Sequence, residues 1–96
     1  MPQLNRLTKL SNAIRQMARR HNVAKVYVFG SCARGEENAE SDIDILVEPN
    51  DQASLFDFMN LQDDLENLLQ SKVDLVSKRG LHPYIKDDIL KEAIEL

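Results

Sequence analysis

Residues 42–48 read Asp-Ile-Asp-Ile-Leu-Val-Glu, two carboxylates set into an otherwise apolar run. A carboxylate is costly to place among Ile, Leu and Val unless something compensates its charge. In an extended strand, side chains two apart share a face. Asp42 and Asp44 therefore project together, their α-carbons roughly 6–7 Å apart at about 3.3 Å of rise per residue. Ile43, Ile45 and Val47 point the other way, into a core. Leu46 falls on the acidic side, so that face is covered further along and open only at its start. Any fold must pack this strand on one side and leave a polar opening on the other.

Two carboxylates this close each resist ionising in a dry site. A divalent cation removes the conflict, and hard oxygen ligands suit Mg2+, with Mn2+ as the alternative. Asp74 repeats the arrangement, flanked by Val73 and Leu75 in the run KVDLV. If these two strands are neighbours, three acids converge on one patch. Two metal ions about 3.5–4 Å apart, bridged by carboxylates, are the usual apparatus for in-line attack on a phosphate.

Gly30-Ser31, ahead of the two acids, supplies a complementary half. A glycine at a strand end lets a phosphate approach the backbone. A helical turn over 31–36, stopped at Gly35, would aim free N–H groups at that anion. The Ser31 hydroxyl adds a donor, and Arg34 a fixed charge that can grip phosphate oxygens in bidentate fashion.

The remaining chain reads as helices and strands in alternation. Leu4, Leu7, Leu10, Ile14, Met17 and Ala18 recur by threes and fours and predict an amphipathic helix over 3–20. KVYVF at 25–29 is a strand stopped by Gly30, 37–41 is a polar connection, 42–48 the second strand and 72–76 the third. Asn50 or Asp51 is placed to cap a helix over about 52–70, with Leu55, Phe58, Met59, Leu61, Leu65, Leu68 and Leu69 as its apolar stripe. Pro83 suits the first turn of a last helix, with Ile85, Ile89, Leu90, Ala93 and Ile94 facing inward and Tyr84 packed. His21 and His82 are expected at helix edges, and Cys32 as a small half-buried side chain. The fold class is α/β of the α+β type: a single domain over 1–96, order α-β-α-β-α-β-α, with helices on a small mixed three-stranded sheet.

Composition narrows the setting. From Met1 to Arg34 there are seven Lys or Arg and no acid, whereas all sixteen acids follow, among five basic residues. Such polarity fits an anionic ligand, a charged partner or a basic helix packed beside an acidic one. One cysteine allows no internal disulfide, and no run approaches the roughly 20 apolar residues of a membrane span. A cytoplasmic protein without membrane contact is expected.

On these residues, GSCARGEENAESDIDILV resembles the signature of the DNA polymerase beta-like nucleotidyltransferase superfamily, GS-x(10)-DxD, at the same spacing. The shortness, with ARGE, SDIDILV, KVDLV and the ending LHPYIKDDILKEAIEL, looks like the minimal nucleotidyltransferases, the MNT family. The resemblance runs from about Val26 onward. It implies transfer of a nucleoside monophosphate from an NTP to an acceptor hydroxyl, with release of pyrophosphate. Asp42 and Asp44 would then ligate both Mg2+ ions. Asp74 would ligate the ion nearer the acceptor and could help deprotonate the hydroxyl. Gly30 and Ser31 would hold the β- and γ-phosphates, with Arg34 as a supporting charge.

The same resemblance implies an antitoxin in a heteromeric complex with a HEPN-domain ribonuclease toxin, moving AMP from ATP to a tyrosine of that toxin. The rivals are an antitoxin that works by binding alone and a nucleotidyltransferase acting on a small-molecule hydroxyl. Three acids kept in apolar strands argue for catalysis over binding alone. The relatives that modify small molecules carry an additional helical domain. Direct nucleic-acid binding is not expected, because no second basic domain is present to grip a template.

Overall fold

The computed structural model describes residues 3–34, 42–81 and 83–96. The expected stop at Gly35, the connection at 37–41 and His82 lie outside them, as does the side chain of Leu4. Elements run α1 (Gln3–Lys9), α2 (Ser11–Arg20), β1 (Val23–Phe29), α3 (Gly30–Arg34), β2 (Ile43–Pro49), α4 (Leu55–Leu69), β3 (Val73–Ser77), α5 (Pro83–Glu92) and β4 (Ile94–Glu95), with a 3-10 turn at Lys78–Gly80 before α5.

The strands form one mixed sheet in the order β3-β2-β1-β4. β1 runs antiparallel to both β2 and β4, and β2 runs parallel to β3. Consecutive parallel strands need a crossover, and α4 provides it. The core alternates as the strand period requires: Val26 and Val28, Ile43, Ile45 and Val47, and Val73 and Leu75 are buried against Ile14 and Ala18 of α2 and Leu61, Leu65 and Leu69 of α4. Leu46 is also fully buried, yet stands outside that cluster, on the acidic face. That face is therefore covered towards the middle of β2 and open at its start.

Four expectations change. The sheet has four strands rather than three, because α5 ends at Glu92 and the chain then pairs with β1, Leu96 N–H donating to Val26 O at 3.0 Å. The first helix is divided at Leu10, whose N–H still donates to Arg6 O at 3.1 Å, so the break is slight. The cap of α4 is Ser54, not Asn50 or Asp51: its hydroxyl accepts from Asp57 N–H at 3.3 Å while Asp57 Oδ2 accepts from Ser54 N–H at 3.0 Å, a reciprocal capping box.

The fourth concerns facing. Of the proposed α4 stripe, Leu55 and Met59 are exposed beside Phe56, whereas Leu61, Leu65 and Leu69 are buried and Phe58 and Leu68 pack against the core from its margin. Ile85 of α5 and Ile94 of β4 are exposed, Ile89 and Leu90 only half-buried, and Tyr84, expected to pack, is 87% exposed. Helical spacing fixes which side chains share a face, but not how far the neighbouring layer extends to cover it.

His21 ends α2, with its Nε2 2.7 Å from Asp64 Oδ2, tying that helix to α4. No described helix is long and apolar enough to cross a membrane.

Candidate active site

The site is built at the end of β1 and the starts of β2 and β3. Asp42 lies one residue before β2 and is exposed, Asp44 is half-buried, and Asp74 in β3 is exposed. In the parallel register Asp44 stands opposite Asp74, so their side chains share the face away from Ile43 and Ile45. Asp42, two residues before Asp44, approaches the same patch closely enough to act on its charge.

That crowding is legible in the proton affinity of Asp44. Its pKa is raised above the usual carboxylate value, first by burial, then by the negative charges of Asp74 and Asp42. Arg34 opposes the rise and Glu92 adds to it.

The turn after β1 meets this acid directly. Phe29 pairs with Asp44 across the antiparallel ladder, which brings Gly30 against the Asp44 side chain. Gly30 has φ +69°, and a Cβ there would stand 2.1 Å from Asp44 Oδ2. Any other residue is strained there: the backbone is left-handed, and a Cβ would push the Asp44 carboxylate out of its place. Ser31 follows, half-buried, and Cys32, 1% exposed, anchors the short helix in the core. Cys32 is thus more deeply buried than expected.

The structure accordingly gathers Gly30, Ser31, Asp42, Asp44 and Asp74 at one corner. Arg34, expected to face phosphate, is ion-paired with Glu92 at the end of α5. Glu92 is a neighbour the sequence did not single out, because one acid in a helix rich in charge carries no spacing signal.

Among the described residues, no three acid, His or Cys side chains form a ready-made metal cage. The donor chemistry nevertheless fits a hard divalent cation. The candidate ligands are carboxylates alone, and Asp44 is held against like charges that a cation would neutralise.

Comparisons with known proteins show which family the chain belongs to. The family model for the nucleotidyltransferase domain matches residues 7–96. A candidate protein adenylyltransferase of Methanocaldococcus jannaschii is 43% identical over 77 residues, 80% of this chain and 83% of that protein. The protein adenylyltransferase MntA of Thermococcus cleftensis is 40% identical over 80 residues, 83% of this chain and 81% of its own.

Among solved structures, a candidate minimal nucleotidyltransferase superposes with a TM-score of 0.88 at 42% identity, covering 97% of this chain and 95% of that one. A toxin-antitoxin structure with AMP-PNP gives a TM-score of 0.74 at 28% identity, over 88% of this chain and 69% of its counterpart. A Shewanella oneidensis complex of a tri-AMPylated HEPN toxin with an MNT antitoxin gives 0.67 at 27% identity, over 99% of this chain and 71% of the matched one.

Proposed function

This chain belongs to the nucleotidyltransferase domain family, and from that premise we propose that it is a protein adenylyltransferase acting as the antitoxin of a HEPN-type toxin. The observation that carries the reading is the corner where Asp44 faces Asp74 across β2 and β3 while Gly30 abuts the Asp44 carboxylate. It joins a backbone turn able to receive phosphate to acids able to hold a cation. The named relatives and the AMPylated-toxin complex support the substrate and the partner.

In the proposed reaction a tyrosine hydroxyl oxygen of the toxin forms a bond to the α-phosphorus of ATP. The bond from that phosphorus to the bridging oxygen breaks, and pyrophosphate leaves with that oxygen. The hydroxyl proton passes to Asp74, whose exposure suits a group that must meet an incoming acceptor. Gly30 and Ser31 hold the β- and γ-phosphates. Asp42, Asp44 and Asp74 would hold Mg2+, in two ions, with Mn2+ able to replace it. When bound, the metal neutralises phosphate charge and acidifies the attacking hydroxyl.

An AMP on the toxin adds bulk and negative charge where an RNA backbone must approach, an effect of the same kind as phosphorylation. The reading places the pair in the cytoplasm, with no direct nucleic-acid contact by this chain.

The test is mass spectrometry of the HEPN-type partner after incubation with this protein, ATP and Mg2+. One or more adenylyl increments on a tyrosine are expected, and none without ATP. A neutralised partner of unchanged mass would replace this reading by inhibition through binding alone.

A further inference from the structure

Arg34 closes α3 and Glu92 closes α5; the two side chains form an ion pair across 58 residues of sequence, where these helices pack on each other. α3 opens at Gly30, which abuts the Asp44 carboxylate, and Arg34 follows in the same short helix, about 6 Å along its axis. The ion pair therefore sets Glu92, a further carboxylate, near the acidic patch. The pair is open to water, with side-chain exposures of 48% for Arg34 and 27% for Glu92. Ion pairs of that exposure are weak and readily exchanged. A triphosphate offers a guanidinium more oxygens and more charge than one carboxylate does.

We propose that Glu92 is the resting occupant of Arg34: its carboxylate holds the guanidinium until a phosphate of the nucleotide takes its place. This rests on the nucleotide-binding reading above and adds an affinity-setting residue to it. The exchange has two costs. The ion pair must open, and Glu92 is left beside the incoming phosphates and Asp44 without its cation. The second cost rises with the charge of the ligand, so Glu92 weakens binding of a triphosphate more than that of a monophosphate. A second link follows from position. Glu92 lies two residues before Ile94, which pairs with Val28 of β1, so the exchange takes place at the junction of α5 and the sheet edge.

The experiment is calorimetric titration of the full chain, with Mg2+ present, using α,β-methylene-ATP, which cannot release pyrophosphate. Wild type, Glu92→Gln, Arg34→Gln and the double variant are compared, with AMP as the low-charge ligand. Glu92→Gln is expected to bind the triphosphate about three- to fivefold tighter, with a smaller gain for AMP. Arg34→Gln is expected to bind it more weakly and to shrink the gain from Glu92→Gln. Glu92→Ala carries the same expectation should the glutamine variant not fold. Unchanged or weaker triphosphate binding by the Glu92 variants, an equal gain for AMP, or an equal gain with and without Arg34 would overturn the inference alone. Failure of the wild type to bind α,β-methylene-ATP would remove the nucleotide reading as well.

Discussion

Asp44 and Asp74 stand opposite one another in the parallel pairing of β2 and β3, two acids on one face of adjacent strands. Strand pairs favour apolar or oppositely charged partners, and like charges directly opposite destabilise a sheet. A position that lowers stability while completing a polar corner is the kind that function retains.

Asp42→Asn and Asp44→Asn should each abolish AMP transfer and leave the fold intact. Without metal, the Asp44 variant should melt at or slightly above the wild-type temperature, because a desolvated charge and its repulsions are gone. Adenylyl incorporation and thermal melting measure the two halves. Full turnover by either variant would show that the acids do not hold the metal.

Ser31→Ala should weaken nucleotide use by about tenfold, well short of the loss caused by an aspartate variant. The backbone donors of the turn remain when the hydroxyl is removed. Steady-state kinetics of both variants under the same conditions provide the comparison, and equal losses would mean that the hydroxyl does more than add one donor.

Acid and neutral pH should act on Asp44 and Asp57 with opposite signs. The raised pKa of Asp44 means that the folded protein binds its proton more tightly than the unfolded chain does. Its contribution to stability is present below the ordinary value of 3.8 and is lost as pH rises through the raised one. Asp57 is shifted down, first by the hydrogen bond from Asn22 and then by that from the Ser54 backbone. Its contribution is present above 3.8 and is lost as pH falls through the lowered value. Melting curves across the acid range should therefore diverge in opposite directions for Asp44→Asn and Asp57→Asn, each relative to wild type.

Ser54→Ala should cost about 1 kcal/mol of stability, since it removes the hydroxyl that accepts from Asp57 N–H. Leu65→Ala, at a fully buried position of the same helix, should cost about 2–5 kcal/mol. Chemical denaturation ranks them, and a Ser54 variant as damaging as the Leu65 variant would mean that the cap carries tertiary structure.

Much of this was legible in the chain because strand alternation speaks locally. The apolar partners of Asp44 and Asp74 announce their face without knowledge of the rest, and Leu46 announces where the opening ends. The four-strand sheet was harder to read, because β4 is a two-residue pairing that exists only through β1, and Ile94 continues a helical spacing that α5 does not follow. The exposed Leu55, Met59 and Tyr84 escaped for a related reason: coverage belongs to the neighbour. Glu92 escaped entirely, since its meeting with Arg34 is a fact of packing between two helix ends.

Gly30 is usually explained by what must come near it from outside. Here its hydrogen also leaves room for a carboxylate of the same molecule. Descendants that trade away Asp44 would lift the steric half of that restriction, while the left-handed backbone would preserve the other half. Loss of the acid should thus leave a trace of itself at position 30, where asparagine, which tolerates a left-handed backbone, begins to replace glycine before the turn itself decays.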